Sequence, residues 1–329
     1  MRAMLRVLFA ALFSIGLIFT SGANPAQADI PDAENWPKPR FITYNICGAA
    51  SHCGVYGGST AAWRDKMIAA IDGWDADLIM LQEVCYSQWQ ILRDALQNRS
   101  DGPKYDSIWG AALPSGHPNT GRCDDRWGGS DTRFGLATFA KGSPGTINNA
   151  DRFVKELTKG TGEQRILLCG RTTVTGRAVR ACNTHIDPGP ANRNQQVIEV
   201  AEKAEEYARA GDPVVLAGDF NMLPHDPGMA PLYNHNGGTG VFQEVDENDK
   251  ANFPDPKEYK HGCAQSQDRC RSGEWTAEEQ CSPKVSEPGK IDYIFLSYYW
   301  FTTLRGDAAT CTPGMSDHHL LRGAAAWEH

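Results

Sequence analysis

The sequence predicts an α/β protein built around two sheets, and three observations carry that expectation. Short apolar runs with strand character are interspersed with segments whose apolar residues recur at helical spacing. Several of the strands run directly into clusters of polar residues, as strands do when they end on a shared rim. Finally, once an N-terminal leader is set aside, 301 of the 329 residues remain, with no internal repeat and no Ser/Pro-rich linker to divide them. That length is long for one ordinary domain but normal for a large two-sheet α/β protein.

The leader comes first. Arg2 and Arg6 make a positive N-terminal region, Leu8 to Thr20 is almost wholly apolar, and Ala26-Gln27-Ala28 offers a small-x-small cleavage site before Asp29. Residues 1–28 therefore read as a secretory signal peptide, against the competing reading of a retained anchor. The apolar run is short for a membrane span, and no later segment is apolar enough to cross a bilayer. Residues 29–329 are expected to form one catalytic domain.

The elements then follow in order. RFITYNIC (40–47) is a strand ending in polar residues, and Gly/Ser-rich sequence runs from it to Ser59. TAAWRDKMIAAIDGW (60–74) places Ala62, Met67, Ile68 and Ile71 at helical spacing, with Trp63 and Trp74 as core residues. ADLIMLQE (76–83) is a buried strand. Residues 87–97 form a helix with Trp89, Leu92 and Leu96 on one face. Residues 110–130 are expected to be a Gly-rich loop holding Cys123, and RFGLATFA (133–140) a strand. ANRNQQVIEVAEKAEEYARAG (191–211) is a helix with Val197, Val200 and Ala204 inward and Gly211 closing it. VVLAG (214–218) is a buried strand. From Gln243 to Lys290 the chain turns polar and carries three cysteines, which predicts a long, disulfide-tied surface loop. KIDYIFLS (290–297) is a strand, and SDHHLLRGAAAW (316–327) a polar turn entering a final strand.

All ten cysteines lie after the leader, at 47, 53, 85, 123, 169, 182, 263, 270, 281 and 311. An even count in an exported chain points to disulfides. Zinc is the competing reading, but no C-x-x-C pair occurs. RILLCGRTTVTGRAVRACNTH (165–185) reads as a hairpin with Thr175-Gly176 at its turn. Val174 then faces Arg177, and Cys169 comes opposite Cys182 as a non-hydrogen-bonded pair, the closer kind, which suits a disulfide. Cys47 and Cys53 are near enough to close a small loop. The other six are left unpaired.

The formal charge is −8 for the whole chain and −10 without the leader's two arginines. An acidic chain gains little from non-specific attraction to phosphates. An anionic substrate would need a local device to offset the repulsion, and a bound divalent cation is one.

The polar clusters at strand ends hold the chemistry. They are Asn45 after FITY, Glu83 after IMLQ, His185 after ACNT, Asp219 and Asn221 after VVLAG, Asp292 in KIDY, and Asp317-His318 in MSDHH. A lone G-D-F-N is as good a turn as a site, since Asp and Asn favour turns. The set taken together is selective, and the chain has neither a serine nucleophile elbow nor a phosphate-binding Walker loop. In their order, QE, TH, GDFN, IDY and SDH resemble the endonuclease/exonuclease/phosphatase superfamily, the metal-dependent phosphoesterases that include pancreatic-type deoxyribonucleases. The resemblance runs from Asn45 to His318, and the fold it implies is a four-layer α/β sandwich, two packed sheets with helices outside and the site at one end.

The resemblance also implies roles. Glu83 would be the principal carboxylate for Mg²⁺, with Mn²⁺ or Ca²⁺ as substitutes, and Asn45 and Asp317 would complete or orient that shell. Asp292 and His318 would form a carboxylate–imidazole dyad that activates water or contacts the phosphate. His185 would be the second histidine; with no sure carboxylate partner, it is expected to titrate near the ordinary value of about 6.5 and to act as a general acid. Asp219 would orient or deprotonate the water and Asn221 would bind a phosphate oxygen, both pointing the same way around an inward Phe220. His319 should face away.

Two departures weaken the match to deoxyribonucleases. Cys85 stands where those enzymes carry an arginine for the DNA minor groove. Of carboxylates that could pair with the first histidine, only Asp131 is near, and loosely aligned. The extra signatures of the inositol-phosphatase branch are not found. The leading expectation is a secreted phosphodiesterase acting on nucleic acid, a monomer. The alternative is a sphingomyelinase-type enzyme acting on a phospholipid headgroup, for which SYYWF (297–301) near the site would be the membrane-facing loop. A non-catalytic binding module on the same fold comes third.

Overall fold

The computed structural model describes residues 35–160, 162–247, 271–282 and 288–328. The proposed leader and Cys263 and Cys270 lie outside the described residues.

Two six-stranded sheets form the centre. The first has the order β11-β12-β1-β2-β4-β3, made of Phe301–Ala309, Leu320–Trp327, Arg40–Asn45, Leu78–Cys85, Phe134–Lys141 and Tyr105–Leu113. The second has the order β5-β6-β7-β8-β10-β9, made of Ile147–Glu156, Ile166–Val174, Arg177–His185, Val214–Asp219, Asp292–Ser297 and Phe242–Glu244. Helices α1 (Thr60–Trp74) and α2 (Tyr86–Asn98) cover the outside of the first sheet, and α4 (Arg193–Arg209) covers the outside of the second. This is the expected four-layer sandwich.

Because both faces of each central strand are buried, the strands read as continuous apolar runs rather than as alternating ones. Alternation decides which layer each residue joins. Phe41, Leu78, Met80, Val215, Ala217, Ile294 and Leu296 fill the space between the sheets. Ile42, Ile79 and Leu81 face α1 and α2, while Val214, Leu216, Tyr293 and Phe295 face α4. Each such aliphatic side chain contributes roughly 1.5–3 kcal/mol by leaving water.

The helices form where their apolar stripes and caps allow. Helix α1 begins at Ser59, whose hydroxyl accepts from the Ala62 amide, and it buries Trp63, Met67, Ile71 and Trp74. Met67 and Ile71 were expected inward; Ala62 and Ile68 only flank the contact, because Trp63 and Trp74 carry the stripe. Helix α4 buries Val197, Val200 and Ala204 as expected, and Gly211 follows its end with φ +94°, the left-handed conformation that closes a helix.

The predicted hairpin has the derived register, Val174 opposite Arg177 and Cys169 opposite Cys182. Thr175 and Gly176 both have positive φ, as a two-residue hairpin turn of this twist requires. The Cys169–Cys182 disulfide closes it, and Cys47–Cys53 closes the small loop. Two further disulfides, Cys85–Cys123 and Cys281–Cys311, join segments the sequence could not pair.

Two expected loops are corrected. Residues 110–130 contain the end of β3 and a helix, α3 (Gly121–Trp127), which the Cys85–Cys123 bond fastens to the end of β2. The segment read as a surface loop from 243 to 290 returns to the interior over much of its described length. Glu244, Asp246, Glu247, Glu274, Thr276 and Lys290 are all fully buried. Lys290 Nζ lies 3.3 Å from Glu244 and 3.2 Å from Asp246, so its charge is what makes burial of these acids tolerable.

Candidate active site

The polar strand ends converge because they continue the alternation of the inter-sheet core. Asn45 has the same parity as Phe41, His185 the same as Ala181, Asp219 the same as Ala217, and Asp292 the same as Ile294. Each therefore projects into the gap between the sheets, at the end where the apolar filling stops. Register completes the alignment, with His185 beside Asp219 in the parallel β7–β8 pair and Asp219 opposite Asp292 in the antiparallel β8–β10 pair. β8 lies close enough to β7 only because residue 218 is glycine, since a Cβ there would sit 2.0 Å from the Thr184 carbonyl oxygen.

Glu83 arrives differently. The β2–β4 register shifts between Leu81 and Val84, and Glu83 takes a left-handed φ of 56° at that bulge. Bulges beside active sites re-aim side chains. The bulge is braced from the other sheet by Asn183, fully buried, whose amide donates to the Leu81 and Ala137 carbonyls at 2.9 Å each. The Gln82 amide donates in turn to Asn183 Oδ1 at 2.7 Å.

Asn45 sits at the centre. Its Nδ2 donates to Glu83 Oε1 (3.2 Å) and to Asp219 Oδ2 (3.0 Å), while its Oδ1 accepts from the Cys47 amide. Asp219 Oδ1 accepts from the Asn221 amide at 2.9 Å. Phe220 between them is fully buried against Tyr293 and Phe295, as expected. Asn221, with a left-handed φ of 49°, donates from Nδ2 to the Ile186 carbonyl and lies 3.3 Å from His185 Nε2.

The expected dyad is present, with His318 Nδ1 2.8 Å from Asp292 Oδ2 and His318 Nε2 3.8 Å from Asp219 Oδ2. Asp292 is held by the segment misread as a surface loop: the Thr276 hydroxyl accepts from the amides of both Ile291 and Asp292. Asp317 is met by His52, whose Nε2 lies 2.6 Å from Asp317 Oδ2. His319 faces away from the site, toward the Ala309 carbonyl and Glu278.

The charges follow from burial and crowding. Burial raises the Glu83 carboxyl above its ordinary range, and the Asp317 charge adds to that. Asp219 is pushed up to about 7, by burial first and then by Asp292. Burial alone would lower His318, but the Asp292 carboxylate outweighs it and holds the imidazole well above its ordinary value. Burial raises Asp317 too, yet His318 and His52 together bring it below the usual carboxylate value. Four carboxylates thus meet at one rim, and two of them, Glu83 and Asp219, are raised by burial and by the charge of a neighbouring carboxylate. That donor set fits a hard divalent cation. Glu83 and Asp317 would hold it, with Asn45 orienting Glu83.

The expected titration of His185 near its ordinary value fails. Asp131, the one carboxylate the sequence offered nearby, ion-pairs with Arg133. In place of a carboxylate, Arg165 Nη1 lies 2.9 Å from His185 Nδ1. Burial and then the Arg165 charge drive the imidazole well below its ordinary value, not near it. Arg165 and His52 were both missed from the sequence. His52 carried a signal, lying inside the loop that Cys47 and Cys53 were expected to close.

Carboxylates, amides and two unlike histidines at the open end of two packed sheets define a phosphoester hydrolase. Residues 42–324 match the model of the Endonuclease/Exonuclease/phosphatase family, and the chain belongs to that family. Solved structures with the same fold include the endonuclease/exonuclease/phosphatase of Bacteroides vulgatus, at 19% identity and TM-score 0.58, over 88% of this chain and 98% of that one. The mannosyl-6-phosphatase of Bacteroides thetaiotaomicron aligns at 17% identity and TM-score 0.59, over 88% of this chain and all of that one. The catalytic domain of human nocturnin, bound to sulfate, aligns at 16% identity and TM-score 0.57, over 92% of this chain and all of that one. No curated protein matches the sequence.

Proposed function

We propose that this protein is an exported, divalent-metal-dependent phosphodiesterase acting on nucleic acid. The observation that carries the reading is the Asn45–Asp219–Asp292–His318 cluster beside Glu83. It supplies a proton acceptor, a cationic imidazole and a carboxylate pair within one rim. A divalent cation on Glu83 and Asp317 would neutralise phosphate charge. Asp219, ionising near neutrality, accepts the proton of the attacking water. As the phosphorus–oxygen bond to the leaving group breaks, His318, kept protonated by Asp292, delivers a proton to the departing oxygen. This differs from the sequence-based expectation that the Asp292–His318 dyad activates the water or contacts the phosphate. Residues 1–28 act as the export signal; the four disulfides agree with an oxidising destination, and no described helix is long and apolar enough to cross a membrane.

The lipid alternative loses its motivating feature. Tyr298, Tyr299 and Trp300 follow the far end of β10, while Asp292 opens it. Six strand residues put about 17–20 Å between them. Tyr299 is exposed, but not beside the site. Cys85, disulfide-bonded and fully buried, cannot read a groove either, so DNA and RNA stand as equal candidates. Digestion of plasmid and of RNA, each with and without EDTA, tests the proposal. Metal-dependent cleavage is expected. No cleavage of either with any divalent cation, or phosphocholine release from sphingomyelin vesicles instead, overturns it.

A further inference from the structure

The group behind His185 has the wrong sign for a general acid. Arg165 precedes β6, is only 8% exposed, and places Nη1 2.9 Å from His185 Nδ1. A guanidinium carries donors only and does not lose its proton in proteins. Nδ1 must therefore present its lone pair, so the ring is neutral and its single proton is on Nε2. The other side of the ring agrees. Nε2 lies 3.4 Å from Asp219 Oδ2, an acceptor, and Asn221 Nδ2, a donor 3.3 Å from Nε2, makes its shorter bond, 2.9 Å, to the Ile186 carbonyl. An imidazolium would set an N–H against an N–H at 2.9 Å.

Arg165 is also costly to keep where it is. Among the described residues its Nε is buried with no hydrogen-bond partner, and its carboxylate neighbours are Glu163, 3.4 Å from Nη1, and Glu83, whose carboxyl feels its charge. A buried arginine with a donor left unpaired is weak evidence for a stabilising role. Its one short side-chain contact among the described residues is with the histidine.

We propose that Arg165 is a positioning residue that fixes His185 as a neutral, Nε2-protonated hydrogen-bond donor to the phosphate, and so removes it from general-acid duty. This rests on the phosphoester-cleaving reading of the site. The charged groups facing the ring are Arg165 before β6, Asp219 at the end of β8, and His318 before β12. Only Asp219 could favour an imidazolium, and it is spent on Asn45, His318 and the Asn221 amide. The division of labour is then one cationic imidazole, His318, and one neutral donor, His185.

The test begins without substrate. In the full-length protein with nitrogen-15-labelled histidine, the His185 ring should stay neutral with its proton on Nε2 from pH 8 to pH 5. Arg165→Gln should bring its titration toward the ordinary value of about 6.5. Arg165→Lys, which keeps a cationic donor, should retain the wild-type behaviour. A wild-type ring that titrates near 6.5, or one protonated on Nδ1, overturns the proposal, as does a ring left unchanged by Arg165→Gln. Kinetics supply the second arm. His185→Ala should slow cleavage of bis-nitrophenyl phosphate and of nucleic acid by the same factor, of order 10²-fold or more, because a phosphate donor acts alike on good and poor leaving groups. A much larger loss on nucleic acid restores the general acid and overturns the assignment. Should nucleic acid prove not to be cleaved, only the functional reading fails, since the ring titration stands apart from it.

Discussion

Replacing Asn183 with leucine, nearly the same size, tests whether the brace between the sheets holds Glu83 in place. The substitution removes donors from the Leu81 and Ala137 carbonyls, both at 2.9 Å, and an acceptor from the Gln82 amide at 2.7 Å. Gln82 Nε2 keeps Thr43 Oγ1 at 3.1 Å, so its loss is small. The two carbonyls, deep between the sheets, carry the cost. At about 1–3 kcal/mol for each of the two buried carbonyls deprived of its partner, less about 1 kcal/mol gained by the leucine's apolar surface, the net loss is about 1–5 kcal/mol. For a chain of this length, that lowers Tm by roughly 2–8 °C. Urea unfolding should show a lower midpoint with an unchanged slope. Because Glu83 sits at the braced bulge with φ 56°, kcat should also fall, by about tenfold or more, since a displacement of order 1 Å costs up to about 10²-fold. A loss below about 1 kcal/mol with normal activity would refute the idea that Asn183 supports the bulge.

Glu83→Gln should keep the fold and lower activity by orders of magnitude, with partial recovery as Mg²⁺ is raised; wild-type activity at ordinary Mg²⁺ would place the metal elsewhere. Asp219 must be ionised to accept a proton, so log kcat/KM should rise with pH through about 7 or somewhat below, a bound cation favouring the carboxylate. Asp292→Asn removes the charge that raises His318, so the falling limb should move to lower pH and the maximum should drop; an unmoved limb would detach it from His318. Lys290→Met should cost about 3–5 kcal/mol by leaving Glu244 and Asp246 buried without a cation, read by urea denaturation. His185 should subtract stability as pH drops below about 6.5, because the unfolded ring takes up a proton there and the folded one, held well below that value, does not, while Asp219, raised to about 7, acts in the opposite sense; the wild-type stability profile should therefore fall relative to that of His185→Ala between pH 7 and 5.5, and parallel profiles would refute the assignment.

The sandwich was legible in the sequence because its central strands are buried on both faces, and continuous runs such as LIMLQ and VVLAG leave little else for such segments to be. What escaped was on the edges or in turns of mixed polarity. β5 alternates exposed and half-buried residues along INNADRFVKE, and as an edge strand it offers no apolar run to notice. α3 is short and polar, and its anchor is the Cys85–Cys123 bond, which no spacing rule supplies. The segment from 271 to 277 looked like surface because it lies in the polar stretch from 243 to 290. Burial of acids such as Glu244 and Asp246 is hard to foresee, since it depends on a lysine, Lys290, arriving from elsewhere in the chain.

The site was legible for a geometric reason that also marks its limits. Strand parity runs unbroken from the core into the rim, so a residue two or four places beyond an inter-sheet apolar residue points into the same gap. Asn45, His185, Asp219 and Asp292 follow from that rule. Glu83 does not, because a bulge and a positive φ break the alternation just before it, and only the motif match identified it. Arg165 was recoverable in principle. The register that pairs Cys169 with Cys182 also brings Ile166 opposite His185, and leaves Arg165 just beyond the strand's start. Residue type argued against looking there, since a histidine in this chemistry is expected to lean on a carboxylate. The chain puts an arginine in that place, and the sign of one neighbouring charge changes what the imidazole can do.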